Sequence, residues 1–151
     1  MRTLFLLLFL AGPAALISLG PLAMAADTVP SSDAPDLRGI RADLKAKKYD
    51  VALAQLKPLA AKYQQPDVYS LMGFALRKTG DRPNAMIYYN KALAMNPNHL
   101  GALEYQGELF VEIGQLDNAK ANLARLQKIC LYGCEEYRDL KEAIEHAPRG
   151  S

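Results

Sequence analysis

Apolar residues in the middle of this chain recur every three or four positions: Tyr69, Met72 and Leu76 in one segment, and Ala85, Tyr88, Tyr89, Ala92 and Leu93 in the next. That spacing places them on one face of a helix with 3.6 residues per turn. Between the segments stands Thr79-Gly80-Asp81-Arg82-Pro83. Glycine suits the end of one helix, and proline is tolerated in the first turn of another. The pattern predicts a helix, a short turn and an antiparallel helix.

The same pattern then returns with a period of 34, residues 66–99 aligning with 100–133 so that Gly73 falls on Gly107, Gly80 on Gly114, Leu76 on Phe110 and Ala85 on Ala119. Gly73 and Ala85 are expected where the paired helices cross closely, because larger side chains would hold the two apart. A weaker copy precedes these units. Its first helix is expected over Leu37–Lys45, from Leu37, Ile40 and Leu44, and its second over Lys47–Tyr63, with Ala52 and Leu56 in the places of Ala85 and Tyr89. Pro58 predicts a kink or an early end there, since proline inside a helix removes a hydrogen bond and costs about 3 kcal/mol. Beyond the last copy, Glu135–His146 carries Tyr137, Leu140 and Ile144 on one face. A stack of repeats needs such a terminal helix to cover its last apolar side.

These residues resemble the tetratricopeptide repeat family. Its pattern of an aromatic, Leu-Gly, Tyr, Ala, a second aromatic and a closing Pro is met by Tyr69, Met72-Gly73, Leu76, Ala85, Tyr89 and Pro97. The next unit matches at Leu103, Gly107, Phe110, Ala119 and Leu123, and departs at Gln106 and Leu131. The resemblance implies an all-α solenoid of about three repeats, the first degenerate, with a C-terminal cap helix, spanning residues 36–146. It further implies a concave face, lined by the first helix of each unit, that holds a peptide or a helix of a protein partner. Carried onto this chain, that groove takes Leu71, Phe74, Arg77 and Lys78 from one unit and Glu104, Tyr105, Glu108 and Glu112 from the next. Some members grip a carboxylate terminus with Lys, Asn and Arg; here Ser70, Phe74, Glu104 and Glu108 occupy those places, so that clamp is absent. Glu104, Glu108 and Glu112 stand four apart as an acidic stripe, either facing a partner or pairing with Arg77 and Lys78.

Composition sets the compartment and the excluded partners. After Arg2 the chain runs uncharged from Thr3 to Ala26 and passes Ala23-Met24-Ala25, the plan of a cleavable signal peptide over residues 1–25. The alternative is a retained anchor, but Gly12-Pro13 and Gly20-Pro21 interrupt the run. Periplasmic or secreted location follows as an expectation, with no membrane association after cleavage, a flexible tether over 26–35 and a disordered tail over 147–151. A formal net charge of +2 offers no electrostatic footprint for nucleic acid. The charge is uneven: residues 36–65 hold seven cations and three anions, residues 100–146 five cations and nine anions, which leaves self-association through the two ends open.

Cys130 and Cys134 are the only cysteines. In an exported chain a disulfide is the expected state of such a pair, here as a structural clip, with Gly133 supplying the turn that a helix would deny it. A thiol-disulfide redox role competes, although Glu135 and Glu136 disfavour a thiolate. So does copper(I) handling by two thiolates. The pair followed by Glu-Glu-Tyr is also similar to small exported bacterial members of the repeat family. His99 is expected to face solvent in a turn, and neither a metal site nor a cofactor is expected. No nucleophile–base pair or phosphate-binding glycine loop stands out, so the chain reads as an interaction module and not an enzyme.

Overall fold

A computed structural model describes residues 34–131 and 133–148. The signal segment, most of the tether and the last three residues, expected above, lie outside the described residues. Within them run seven helices and no strand: α1 (Arg38–Lys45), α2 (Tyr49–Lys62), α3 (Pro66–Lys78), α4 (Arg82–Met95), α5 (Leu100–Glu112), α6 (Leu116–Ile129) and α7 (Glu135–Glu145). This is the all-α repeat solenoid with a terminal helix that the 34-residue period predicted.

Each helix pairs with the next, and α3 also packs on α5 and α5 on α7. The first helices of successive hairpins, continued by α7, therefore form one layer, and α2, α4 and α6 form the other. The turns that fold each hairpin share one backbone device. Gly80 and Gly114 adopt φ of +90° and +76° directly after α3 and α5, the left-handed conformation that ends a helix at little cost to glycine. In the degenerate first hairpin Lys47 takes that conformation, at φ 60°, and no glycine is there to relieve it. The Asp81 side chain then caps α4 by accepting from the Asn84 N–H at 3.3 Å.

Leu37, Ile40 and Leu44 of α1 pack with Leu56 of α2 and Val68, Leu71 and Met72 of α3. Tyr89, fully buried, sits with Ala85 and Leu109. At the other end Leu103 of α5, Leu126 of α6 and Leu140 of α7 close the stack, all three fully buried. The cap helix thus covers what the last repeat exposes.

Two details refine the expectation. Helix α2 does not end early at Pro58 but continues to Lys62. Ala54, whose carbonyl loses its intrahelical donor to Pro58, is exposed, as is Pro58 itself, so the freed carbonyl belongs to a residue that water reaches. The second concerns the glycines at the helix crossings. A Cβ on Gly73 would stand 2.5 Å from Tyr89 Cε1, so the ring of α4 lies against bare backbone. Gly107 is equally tight, but what fills its notch is Leu140 of α7, whose Cδ2 lies 2.5 Å from the point a Cβ would occupy. Leu123, the repeat counterpart of Tyr89, is only half-buried.

Candidate functional site

Two adjoining recesses open on the layer formed by α1, α3, α5 and α7. One, of about 360 Å³, takes Arg41, Ser70, Leu71, Tyr105 and Glu136 among its walls. The other, of about 400 Å³, is bounded by Leu44, Leu71, Phe74, Tyr105 and Glu135. Leu71, 4% exposed, is a shared floor and belongs to the core. Phe74 and Tyr105 lie tilted against each other at 52° with centroids 4.7 Å apart, and Phe74 meets Tyr49 edge-on at 6.3 Å. Lys78 lies over the Phe74 ring at 5.3 Å. Burial first, and then the negative charge of Glu104, push the Tyr105 hydroxyl up to about 12.

Arg77 is not a free groove cation. Its side chain is 2% exposed and its guanidinium forks between Glu108 and Glu112, the latter at 2.8 Å. Burial opposes its charge, but Glu108, Tyr89 and Glu112 together outweigh burial and hold the guanidinium charged more firmly than usual. Glu112 also accepts from Arg82 at 3.2 Å. Two of the three stripe glutamates are thereby tied to α3 and α4, and Lys78 takes no part.

Glu104 stands apart. It is 7% exposed, and no hydrogen bond or ion pair meets its carboxyl among the described residues. Burial raises its pKa to about 8, helped by Glu108 on its own helix and by Asp139 and Glu136 on α7, with Arg77 pulling the other way. One period of 34 earlier stands Ser70, 2% exposed, whose Oγ is likewise buried without a partner. Ser70 and Glu104 thus occupy equivalent positions of neighbouring repeats on the same layer, and of the two only the Ser70 hydroxyl is sealed from water without a partner.

His99 corrects an expectation. It is not a solvent-facing turn residue; its side chain is 14% exposed and caps α5. The Ala102 N–H donates to Nδ1 at 3.0 Å, so Nε2 carries the proton and donates to Asp67 Oδ1 at 2.8 Å. Asp67 in turn accepts from Arg41 at 3.3 Å. Ser70, His99 and Asp67 share a recess, yet both ring nitrogens are occupied and none remains to serve as base to the hydroxyl.

A chain of amides that runs from two buried residues to an exposed one was not foreseen. Asn122 donates to Gln106 Oε1 at 3.0 Å and to the Leu103 carbonyl at 3.1 Å, and Gln106 donates to Asn90 at 2.8 Å. The three residues are spaced sixteen apart, which was the available clue; Gln106 replaces the family leucine because it has amide partners on α4 and α6.

Cys130 ends α6 and Cys134 precedes α7. Their sulfurs stand at disulfide distance with Cα atoms 5.6 Å apart. Gly133 between them has φ +82° and its N–H donates to the Cys130 carbonyl at 2.8 Å, which supplies the turn that the pair requires. Among the described residues no group of His, Cys, Asp or Glu side chains is arranged to hold a metal ion, and no helix is long and apolar enough to cross a membrane.

Stacked helix hairpins whose first helices share one face define an α-helical repeat protein. Within that class, residues 66–99, which include α3 and α4, match the family model described as tetratricopeptide repeat; the hairpins on either side continue the same stack. No curated protein matches the chain.

Proposed function

We propose that this chain is an exported protein-interaction module that binds an extended peptide or a helix of a protein partner along the layer of α1, α3, α5 and α7. The observation that carries the proposal is the pair of adjoining recesses around the paired Phe74 and Tyr105, walled by all four helices of that layer. Apolar contact with the two rings supplies affinity, and the surrounding charges fix register and exclude wrong partners. Export is supported by the uncharged run before Asp27 and its small-residue triplet. In an oxidising compartment Cys130 and Cys134 act as a clip that fixes how α7 leaves α6.

The test is a photo-crosslinking amino acid placed at Lys78, beside Phe74, in the full chain expressed in its own cells. A discrete adduct that disappears when Phe74 and Tyr105 are both replaced by Ala, with helicity unchanged, supports the groove. An adduct indifferent to that replacement moves the binding surface elsewhere. The intact mass of the exported protein checks cleavage near Ala26 and a mass two protons below that of the dithiol.

A further inference from the structure

We propose that the segment held in this groove carries an acidic side chain beside its apolar anchor, and that Arg41 and Lys45 of α1 receive that acid. The inference rests on the groove described above and adds the chemistry of its occupant. Arg41 lines both recesses, and Lys45 joins it in the second, together with Phe74 and Tyr105. Lys45 makes no ion pair among the described residues, and neither does Lys78, whose Nζ lies 5.3 Å from the centroid of the Phe74 ring. Arg41 meets one carboxylate, Asp67, at 3.3 Å, and both side chains are about half exposed. Such a surface pair is weak, and it leaves most of the five guanidinium N–H donors to a newcomer.

The helix at the other end of the layer brings the opposite sign. Glu136 of α7 lines the first recess and Glu135 the second, so each recess is bordered by a cation from α1 and a carboxylate from α7. No ion pair joins α1 to α7 among the described residues. An anion entering the groove is drawn toward α1 and driven from α7, which fixes both the sign of the group that seats at Arg41 and the way round the segment lies. Apolar contact comes from the same place. Leu71 and Tyr105 border both recesses and Phe74 the second, so neighbouring apolar and acidic side chains of one segment are served together. Arg77 takes no part, because Glu108 and Glu112 already hold it.

This arrangement gives a readout that damage to the fold cannot imitate. Removing the α1 cations weakens an acidic segment, whereas removing the α7 carboxylates tightens it; a damaged fold weakens binding in both cases. Because Arg41 and Lys45 are exposed, added salt screens the attraction and narrows both effects.

The experiment selects binders to the full mature chain from a phage-displayed library of random dodecapeptides, whose carboxyl ends are joined to the coat protein so that any acid selected is a side chain. The selected sequences are expected to place Asp or Glu close to a large apolar residue. A capped synthetic copy of one of them is then measured by fluorescence anisotropy against the version in which the acid is replaced by its amide. The amide version is expected to bind about tenfold more weakly, the size of one charge-assisted hydrogen bond. Arg41→Gln with Lys45→Gln is expected to weaken the acidic peptide by about the same factor and to leave the amide version unchanged. Lys45→Gln alone is expected to weaken it severalfold and guards against a folding defect at Arg41. Glu135→Gln with Glu136→Gln is expected to tighten it severalfold. Selected peptides without an acid, or an acidic preference indifferent to Arg41 and Lys45, overturn the proposal, and they leave the groove standing where Phe74→Ala with Tyr105→Ala still abolishes capture. Failure to capture any peptide overturns the proposal as well; joined to a crosslink at Lys78 indifferent to Phe74 and Tyr105, it overturns both.

Discussion

At the level of single residues, Glu104 and Gly73 state what the fold costs and gains. Glu104 has a folded pKa of about 8 against an ordinary 4.5. At Glu104 the folded chain therefore binds more protons than the unfolded one between those values, so this group's contribution to stability is fully present below about pH 4.5 and is lost as pH rises toward 8. The decline is on the order of 5 kcal/mol, and Glu104→Gln should flatten it, leaving the variant more stable than the parent at pH 8. Thermal melts from pH 5 to 9 on both proteins check this; parallel curves would mean that the carboxyl is solvated. Gly73→Ala drives a methyl to 2.5 Å from a Tyr89 ring that is itself fully buried. The expected loss is about 1–3 kcal/mol of stability by denaturant unfolding, as for other overpacked cores. The sequence displayed the glutamate stripe and the repeated glycine, but not what made either one unusual. Glu136 and Asp139 reach Glu104 from a helix more than thirty positions away, and only folding brings them together.

Whole elements were the most legible level. Helix boundaries followed from periodicity, Gly80, Pro83 and the cap helix's apolar face, because in a repeat each unit packs mainly on its sequence neighbours and the contacts are local. Two points depended on the direction a side chain faced: Pro58 was expected to kink α2 or end it early, and the helix runs on to Lys62 with Pro58 and Ala54 exposed; His99 looked free, yet it bridges the α5 N-terminus and Asp67. The first hairpin is degenerate at a specific point. Lys47 holds φ 60° where the later units place glycine, a conformation that costs an ordinary residue roughly 1–2 kcal/mol. Lys47→Gly regains part of that against the greater entropy of unfolded glycine, and a gain of about 0.5–1 kcal/mol in urea unfolding is expected. No gain would show that the turn carries no strain.

The molecule as a whole couples its closed end to its open face through α7. This helix places Leu140 against Gly107, Leu103 and Leu126, and the same helix presents Glu136 and Asp139 to Glu104. Its departure from α6 runs through the Cys130–Cys134 turn. Replacing both cysteines by serine removes a short loop closure and should cost about 2 kcal/mol in the chain-entropy picture. The more telling effect is expected at a distance. If the clip holds α7 in its seat, loosening it draws Glu136 and Asp139 away and lets water reach the layer beneath, so both causes that raise the Glu104 pKa weaken together. The carboxyl should then titrate nearer the ordinary carboxylate range, followed by carbon-13 shifts of labelled glutamate, and Leu140→Ala should act in the same direction through the opposite side of the helix. A drop in the Glu104 midpoint in both variants makes the seating of α7 part of what sets the chemistry of this layer. A midpoint unmoved by either would mean that α5 alone sets the chemistry of the groove and that α7 serves only to close the stack.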